Sequence, residues 1–230
     1  MTTPRPIAIF FHGLFVVGDP PKSLPNAARV IHRLVVQMAD SGLMDAAQEI
    51  HVGINGGKES EGMVANYIPK KATVTYHGLQ CRNENLTLVM LENWVKVHPG
   101  WNVLYFHAKN ASHDPNSDYG RFGEGWREGM AADLITNWRQ CVTDLDTGFD
   151  IVCSHWMWNC ADGTQHIPAG NFLWVTSDFA AKLPSIYLRQ RIKDDGIGAL
   201  SSRFEAEVLW GNGPRPVVKS FRPNGGSGVP

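Results

Sequence analysis

Apolar residues along this chain follow two periods. "IAIFFHGLF", Ile7 to Phe15, is a nearly unbroken apolar run interrupted only by His12 and Gly13, the pattern of a parallel strand buried on both faces. From Leu24 to Met38 the spacing changes, with Leu24, Ala28, Ile31, Leu34, Val35 and Met38 recurring at threes and fours. That spacing predicts an amphipathic helix with Pro25 near its first turn. "EIHVGINGG" predicts a second short strand ending in a glycine turn, and "ATVTYHG" a third with β-branched and polar residues alternating. "NENLTLVMLENWVKV" follows as a helix with Leu88, Leu91, Trp94 and Val95 on one face, and "NVLYFHAK" as a fourth strand. The β-α-β-β-α-β succession predicts an α/β fold, a mostly parallel Rossmann-like sheet with helices on both faces.

A polar, glycine-rich segment, "NASHDPNSDYGRFGEG", comes next and is long enough for a functional loop. Trp126, Met130, Leu134, Trp138 and Val142 then mark one long amphipathic helix. "FDIVCSHWMW" reads as a fifth strand, "GNFLWVTSDFAAKLP" as a strand or turn entering a short helix, and "RFEAEVLW" as a late strand or helix. No repeat or second domain is visible. The expectation is one domain over residues 1–222 and a flexible tail over 223–230.

Charge and composition narrow the function classes. The chain of 230 residues has a formal net charge of −1, which argues against general nucleic-acid or membrane-surface binding, since both need a basic excess. Cys81, Cys141, Cys153 and Cys160 have no CxxC spacing, and the start of the chain lacks a charged segment followed by a long apolar run. Free thiols in the reducing cytoplasm are the expectation. No apolar run approaches the length of a membrane span.

Several familiar motifs fail on inspection. "FFHGLF" resembles the histidine-glycine loop of α/β-hydrolases, but no G-x-S-x-G nucleophile elbow follows. "GINGGKESEG" lacks Walker spacing, and Lys58 precedes Glu59 where Ser or Thr is required. Cys153, His155, Cys160 and His166 are spaced too irregularly for a structural zinc knuckle. Asp144-Leu145-Asp146 closes the long helix, so helix-end carboxylates in solvent are the expectation there.

His107 and Lys109 are different, because they stand at the carboxyl end of the fourth strand, directly before the polar loop. Open α/β sheets bind their ligands at that edge. A lysine ammonium offers three donors and a fixed charge suited to phosphate, and histidine serves as donor, acid or base near neutral pH. The plain alternative is a satisfied edge histidine beside a solvated lysine.

The segments "YFHAKNAS", "WREGM", "GNFLWVTSDFAAKLP" and "RFEAEVLWGNG" together resemble a group of bacterial and viral sugar transferase-like proteins of the GT-A glycosyltransferase type. Its recurring themes are a Y-x-H-x-K-G-like strand end and a G-N-F-x-W segment, and the resemblance runs from about Ile7 to Gly213. It implies a GT-A-like fold holding a nucleotide-sugar donor, a UDP-sugar by expectation, beside the strand ends. GT-A enzymes usually carry a D-x-D there for a divalent metal. Here His107 and Lys109 take the two places, and Asn110 replaces a glycine often found next. A Mg or Mn ion loses its oxygen ligands by that exchange, so the resemblance implies a metal-independent site in which Lys109 neutralises the diphosphate.

By the same resemblance His12 meets the nucleotide base or ribose, Asn83 and Glu84 grip the nucleotide, and Gly170, Asn171 and Phe172 line the acceptor side. Tyr119, Arg121 and Trp126 lie beside the loop that closes the site. A base for inversion is expected among Glu207 and Glu205, two apart on one side of a strand or on adjacent turns of a loop, with Asp178 as the alternative. The function implied is transfer of a sugar from a nucleotide-diphosphate donor to a hydroxyl of a glycan or other cytoplasmic acceptor. Two rivals stand beside it. One is a non-catalytic nucleotide- or carbohydrate-binding domain, for which aromatic stretches such as "SHWMWNC" suit sugar stacking. The other is a sugar transferase acting on modified nucleic acid, whose basic face would have to come from Arg189, Arg191 and Lys193, offset by Asp194 and Asp195.

Overall fold

Alternation along the first strand sets the layers. Ile7, Ile9 and Phe11 pack on one side of the sheet and Ala8 and Phe10 on the other, because successive strand side chains point to opposite faces. A computed structural model describes residues 4–14, 20–56, 62, 66–78, 84–109, 111, 113–158, 166–185 and 204–222. In chain order these form β1 (Ile7–Leu14), α1 (Pro20–Asp40), α2 (Leu43–Ala46), β2 (Glu49–Asn55), β3 (Thr73–Gly78), α3 (Asn85–Val95) and β4 (Asn102–His107). There follow α4 (Asp118–Ala131), a π turn (Ala132–Thr136), α5 (Trp138–Asp146), β5 (Ile151–Cys153), β6 (Trp156–Trp158), β7 (His166–Pro168) and β8 (Leu173–Thr176). The last elements are α6 (Ser177–Ala180), α7 (Phe204–Val208), a 3-10 turn (Leu209–Gly211) and β9 (Val218–Ser220).

Seven strands make the main sheet in the order β3-β2-β1-β4-β8-β5-β9. The pairs β1–β2, β1–β4, β2–β3 and β5–β9 are parallel, and β8 alone runs against its neighbours β4 and β5. The α/β class and the mostly parallel, Rossmann-like arrangement are therefore as the periodicity predicts. On one face, Val30, Ile31, Leu34 and Met38 of α1 pack with Met130, Leu134, Cys141 and Leu145 of the α4–α5 stretch. On the other, Leu88, Leu91 and Val95 of α3 pack with Phe179 of α6 and Ala206 of α7. Among the described residues no helix is long and apolar enough to cross a membrane.

Connectivity leaves one special place. After β1 the chain steps outward to β2 and β3, then returns to lay β4 on the opposite side of β1. That reversal is a topological switch point, where the connections diverge and leave a crevice outside the carboxyl ends of the strands.

Three segments depart from the sequence pattern. From Asp118 onward the polar stretch after β4 is helical: Ser117 caps α4 by accepting from Gly120 N at 3.0 Å, and Glu124 accepts from Arg29 Nη1 at 2.6 Å. Of its polar residues Glu124 faces α1, whereas Asp118 and Arg121 pair with each other in solvent. The long helix from Trp126 is interrupted by the π turn before α5 resumes. The fifth strand is cut in two, because the Ser154 carbonyl accepts from Arg222 N at 2.9 Å and the His155 carbonyl from Ala169 N at 2.9 Å. β6 then pairs with β7 in a separate ribbon. Residues around Glu207 form α7, the helical alternative for "RFEAEVLW", so the strand arrangement with two carboxylates two apart does not apply. The expected tail (223–230) and the basic cluster Arg189, Arg191 and Lys193 lie outside the described residues.

The glycines of α4 separate two effects. A Cβ at Gly120 would stand 1.9 Å from the Asp114 carbonyl oxygen, whereas one at Gly125 meets nothing within 4 Å. Alanine gains about 1 kcal/mol over glycine in an open helix site, but a backbone clash outweighs that at Gly120, where overpacking costs about 1–3 kcal/mol. Gly125→Ala is expected to raise the melting temperature and Gly120→Ala to lower it, and thermal unfolding followed by circular dichroism checks both signs.

Candidate functional site

At the switch point the β1–β4 register pairs His12 with His107. Both continue the row of Phe10 and Tyr105, so both side chains belong to the α3 face. His12 is 2% exposed. Its Nδ1 lies 2.8 Å from Thr87 Oγ1 on α3, and its Nε2 has no hydrogen-bond partner among the described residues. Gly53 of β2 pairs beside His12. A Cβ there would stand 2.0 Å from Thr87 Oγ1 and 2.6 Å from His77 Nε2, so the missing side chain makes room for three polar groups to converge. Burial holds the pKa of His12 well below its ordinary value, and the neighbouring His107 and His77 push the same way. His12 is a neutral imidazole at neutral pH.

His107 is tied on both sides. Its Nε2 lies 2.9 Å from the Gly170 carbonyl; a carbonyl only accepts, so Nε2 carries the proton. Its Nδ1 faces Glu84 Oε2 at 3.8 Å. The same carboxylate oxygen accepts from Tyr105 OH at 2.5 Å. Burial and then the Glu84 charge push the Tyr105 pKa well above its ordinary value, which keeps the phenol a donor. Gly170 presents its carbonyl from a tight turn: Gly170 has φ +84° and Asn171 φ +53°, both left-handed. Asn171 is fully buried and its Oδ1 accepts from Trp210 Nε1 at 2.6 Å, which holds a conformation that L residues adopt at a cost.

Lys109 stands just past the strand, between the two helical layers, and is only 8% exposed. Its Nζ is 3.6 Å from Glu207 Oε1 on α7 and 4.7 Å from the centroid of Trp126 on α4. Its carbonyl accepts from Arg127 Nη1 at 2.8 Å. Arg127 is buried and leans on Glu124 at 3.8 Å. Neither Nζ contact has the length of a charge-assisted hydrogen bond, about 2.7–2.9 Å. The ammonium is desolvated, its charge is partly balanced, and its donors remain unspent among the described residues.

His12, Glu84, His107, Lys109, Asn171 and Glu207 thus gather around one strand edge. Asn83 and Asn110 lie outside the described residues, and of Glu205 the structure describes the α7 backbone alone. Asp178 is elsewhere: its Oδ1 accepts from Gly100 N at 3.1 Å, before β4 begins, at the opposite edge of the sheet. Tyr119 and Arg121 occupy the first turn of α4, Tyr119 edge-on to His113 and Arg121 bonded to Asn116 and Asp118. Asp144, expected in solvent, is buried and accepts from Gln140 at 2.9 Å. Thr87, His77, Tyr105, Arg127 and Trp210 are participants that periodicity does not single out; Tyr105, Arg127 and Trp210 had a signal in their places in "YFHAKNAS", "WREGM" and "RFEAEVLWGNG".

The resemblance to GT-A-type transferases implies a divalent metal, and the donors among the described residues do not suit one. Mg and Mn take oxygen ligands, but the end of β4 presents an imidazole and an ammonium, while Glu84 faces Tyr105 and His107 and Glu207 faces Lys109. Among the described residues no group of three or more His, Cys, Asp or Glu side chains is arranged to hold a metal ion. Cys153 is buried, which pushes its thiol pKa far up, and Cys160 lies outside the described residues. A groove of about 470 Å³ lies along α1, lined by His32, Arg33, Val36 and Gln37, away from the strand ends.

The neutral state of His12 has a consequence for stability. Its folded pKa is depressed, so below the ordinary value of about 6.5 the unfolded chain binds a proton that the native state refuses. Stability from this group is present above that pH and is lost as the pH falls below it. His77, also lowered by burial, acts with the same sign. Melting temperature measured from pH 7.5 down to about 5 is expected to drop more steeply for the native chain than for His12→Gln, and parallel curves would contradict this assignment.

No protein-family model matches the chain, and no curated protein matches it. Among solved structures, HddC from Yersinia pseudotuberculosis aligns with TM-score 0.43 and 12% identity over 94% of this chain and 89% of its own. Rv0371c from Mycobacterium tuberculosis H37Rv aligns with TM-score 0.38 and 13% identity over 82% and 84%. The CMP:2-keto-3-deoxy-manno-octonic acid synthetase complexed with CTP aligns with TM-score 0.37 and 14% identity over 78% of each chain. The fold of this chain is read from its own strand order and pairing.

Proposed function

We propose that this protein is a glycosyltransferase that moves a sugar from a nucleotide-diphosphate donor, a UDP-sugar by preference, to a hydroxyl of a glycan or another acceptor. The observation that carries the reading is Lys109, a buried ammonium with unspent donors placed at the switch-point crevice where open α/β sheets take their ligands. As the sugar departs, negative charge collects on the distal phosphate, and a cation already fixed at that position lowers the barrier without reorganising. Lys109 meets that requirement as a compact point charge. The Glu207 carboxylate at 3.6 Å shows that an anionic group fits beside it.

The roles around Lys109 follow from their contacts. His107 spends its Nε2 proton on Gly170, so it holds the Gly170–Asn171 turn while Lys109 makes the phosphate contact. Arg127 and Trp126 fix the lysine from α4, one through its carbonyl and one beneath its ammonium. The diphosphate is neutralised by this cation, and no step runs through a metal.

Lys109 is packed, so Lys109→Met, which keeps the stem against Trp126, tests the charge more cleanly than a truncation. Transfer from UDP-, GDP- and ADP-sugars is expected to fall by about a hundredfold or more in that variant while its melting temperature stays near that of the native chain. Undiminished turnover would sink the role of Lys109. Activity is also expected to survive dialysis against EDTA; loss that manganese restores would show that the donor is held by a metal after all.

A further inference from the structure

Beyond Gly170 the carboxyl edge of the sheet continues into a second polar cluster that the donor site does not use. β5 ends at Cys153 and β9 at Ser220, running parallel, so Ser154, His155 and Arg222 leave the sheet at the same edge as Lys109. Asp133 reaches them from the π turn, a helix irregularity that recurs at functional sites. Its Oδ2 accepts from Ser154 Oγ at 2.6 Å and from Arg222 Nε at 3.1 Å. Gly129 gives the guanidinium room, since a Cβ there would stand 3.3 Å from Arg222 Nη2.

His155 is the member of this cluster with chemistry left over. Its Nδ1 is buried and has no hydrogen-bond partner among the described residues. Burial lowers its pKa from the ordinary value, Arg222 pushes the same way, and Asp133 opposes them. A neutral imidazole with an unengaged ring nitrogen is a competent proton acceptor at neutral pH.

The cluster also adjoins the donor site. The His155 carbonyl accepts from Ala169 N at 2.9 Å, and the next residue, Gly170, gives its carbonyl to His107 at 2.9 Å. Two residues of backbone, about 7 Å at full extension, separate the anchors of the two clusters. Just beyond His155 the β6–β7 ribbon presents Trp156 with its ring parallel to that of His166, 5° between planes at 6.3 Å, and flat aromatic faces of this kind suit sugar rings.

Building on the donor reading above, we infer that this cluster is the acceptor subsite for a saccharide hydroxyl and that His155 is the base that takes its proton. The acceptor O–H proton passes to the His155 imidazole as the acceptor oxygen bonds to the anomeric carbon. The bond from that carbon to the diphosphate oxygen breaks, and its electron pair leaves with the nucleoside diphosphate at Lys109. Asp133 and Arg222 face His155 with opposite charges, Ser154 bonds to Asp133, and His166 faces Trp156; these are the polar groups set around the proton's destination.

The test compares native protein with His155→Gln and Ser154→Ala. UDP affinity is measured by isothermal titration, and transfer is measured from UDP-glucose, UDP-galactose and UDP-N-acetylglucosamine to glucose, galactose, lactose and maltose. UDP affinity is expected to stay within about twofold in His155→Gln, while transfer falls by about a hundredfold or more, the range of general base catalysis. The native fall in rate on the acid side should be absent from the residual activity. Added imidazole should restore turnover to His155→Gly, and Ser154→Ala should raise the acceptor KM more than it lowers kcat. Near-native turnover and an unchanged pH profile in His155→Gln, with UDP still bound, overturn the inference and leave the donor reading standing. Loss of UDP binding together with transfer in that variant also overturns it, since a structural role would explain both. Native protein that neither binds UDP nor turns over any of these donors overturns both readings.

Discussion

In-register pairing of β1 with β4 is the constraint on which the rest of the site depends. It sets His12 opposite His107 at the point where the chain's path returns from β3 to lay β4 on the other side of β1. Two imidazoles in a buried layer are costly unless their nitrogens are met, since an unsatisfied buried polar group costs about 1–3 kcal/mol. Thr87 and the Gly170 carbonyl meet two of those nitrogens, from α3 and from the turn before β8, and the Glu84 carboxylate faces a third at 3.8 Å from the leading edge of α3. The loops and helix ends around the strand edge are thereby fixed by polar contacts that an apolar strand end would not require.

Lys109 extends the same logic to a full charge. Removing an ammonium from water is expensive, and one carboxylate at 3.6 Å with an indole face at 4.7 Å returns part of that cost. A cation–π contact contributes about 0.5–2 kcal/mol, and a desolvated pair without close hydrogen bonds falls short of its solvation loss. The position is therefore primed for a second anion with oxygens that reach hydrogen-bond length. Arg127, buried against the Lys109 carbonyl, keeps the lysine from swinging out to solvent and escaping that cost.

Much of the fold was legible in the sequence because buried parallel strands are written as continuous apolar runs. β1 and β4, the two strands that matter most, have that form, and their ends expose His12, His107 and Lys109 as polar breaks. The environment of those breaks was not legible. That Lys109 is buried depends on Trp126 and Glu207, distant in sequence and on opposite faces of the sheet. Nothing local shows that "RFEAE" is a helix facing a lysine some hundred residues earlier, and its alternation of charged and apolar residues fits a strand equally well. The glycines of α4 hid a helix, because Gly120 is there for close packing and Gly123 is buried, while propensity counts both against one. His155 had a signal only within the irregularly spaced set of Cys153, His155, Cys160 and His166; its place beside Gly170 follows from Ser154 and His155 leaving the sheet instead of continuing a strand.

The central claim is that a diphosphate is held at Lys109, and the binding of UDP set against uridine tests it most directly. The two share base and ribose and differ only in the group assigned to the lysine. A hydrogen bond to a charged group contributes about 1.5–3 kcal/mol, so titration calorimetry should show UDP binding about ten- to a hundredfold tighter than uridine. That margin should collapse in Lys109→Met while uridine binding is unchanged. Equal affinities for UDP and uridine in the native chain, or a margin that survives loss of the ammonium, would contradict the claim.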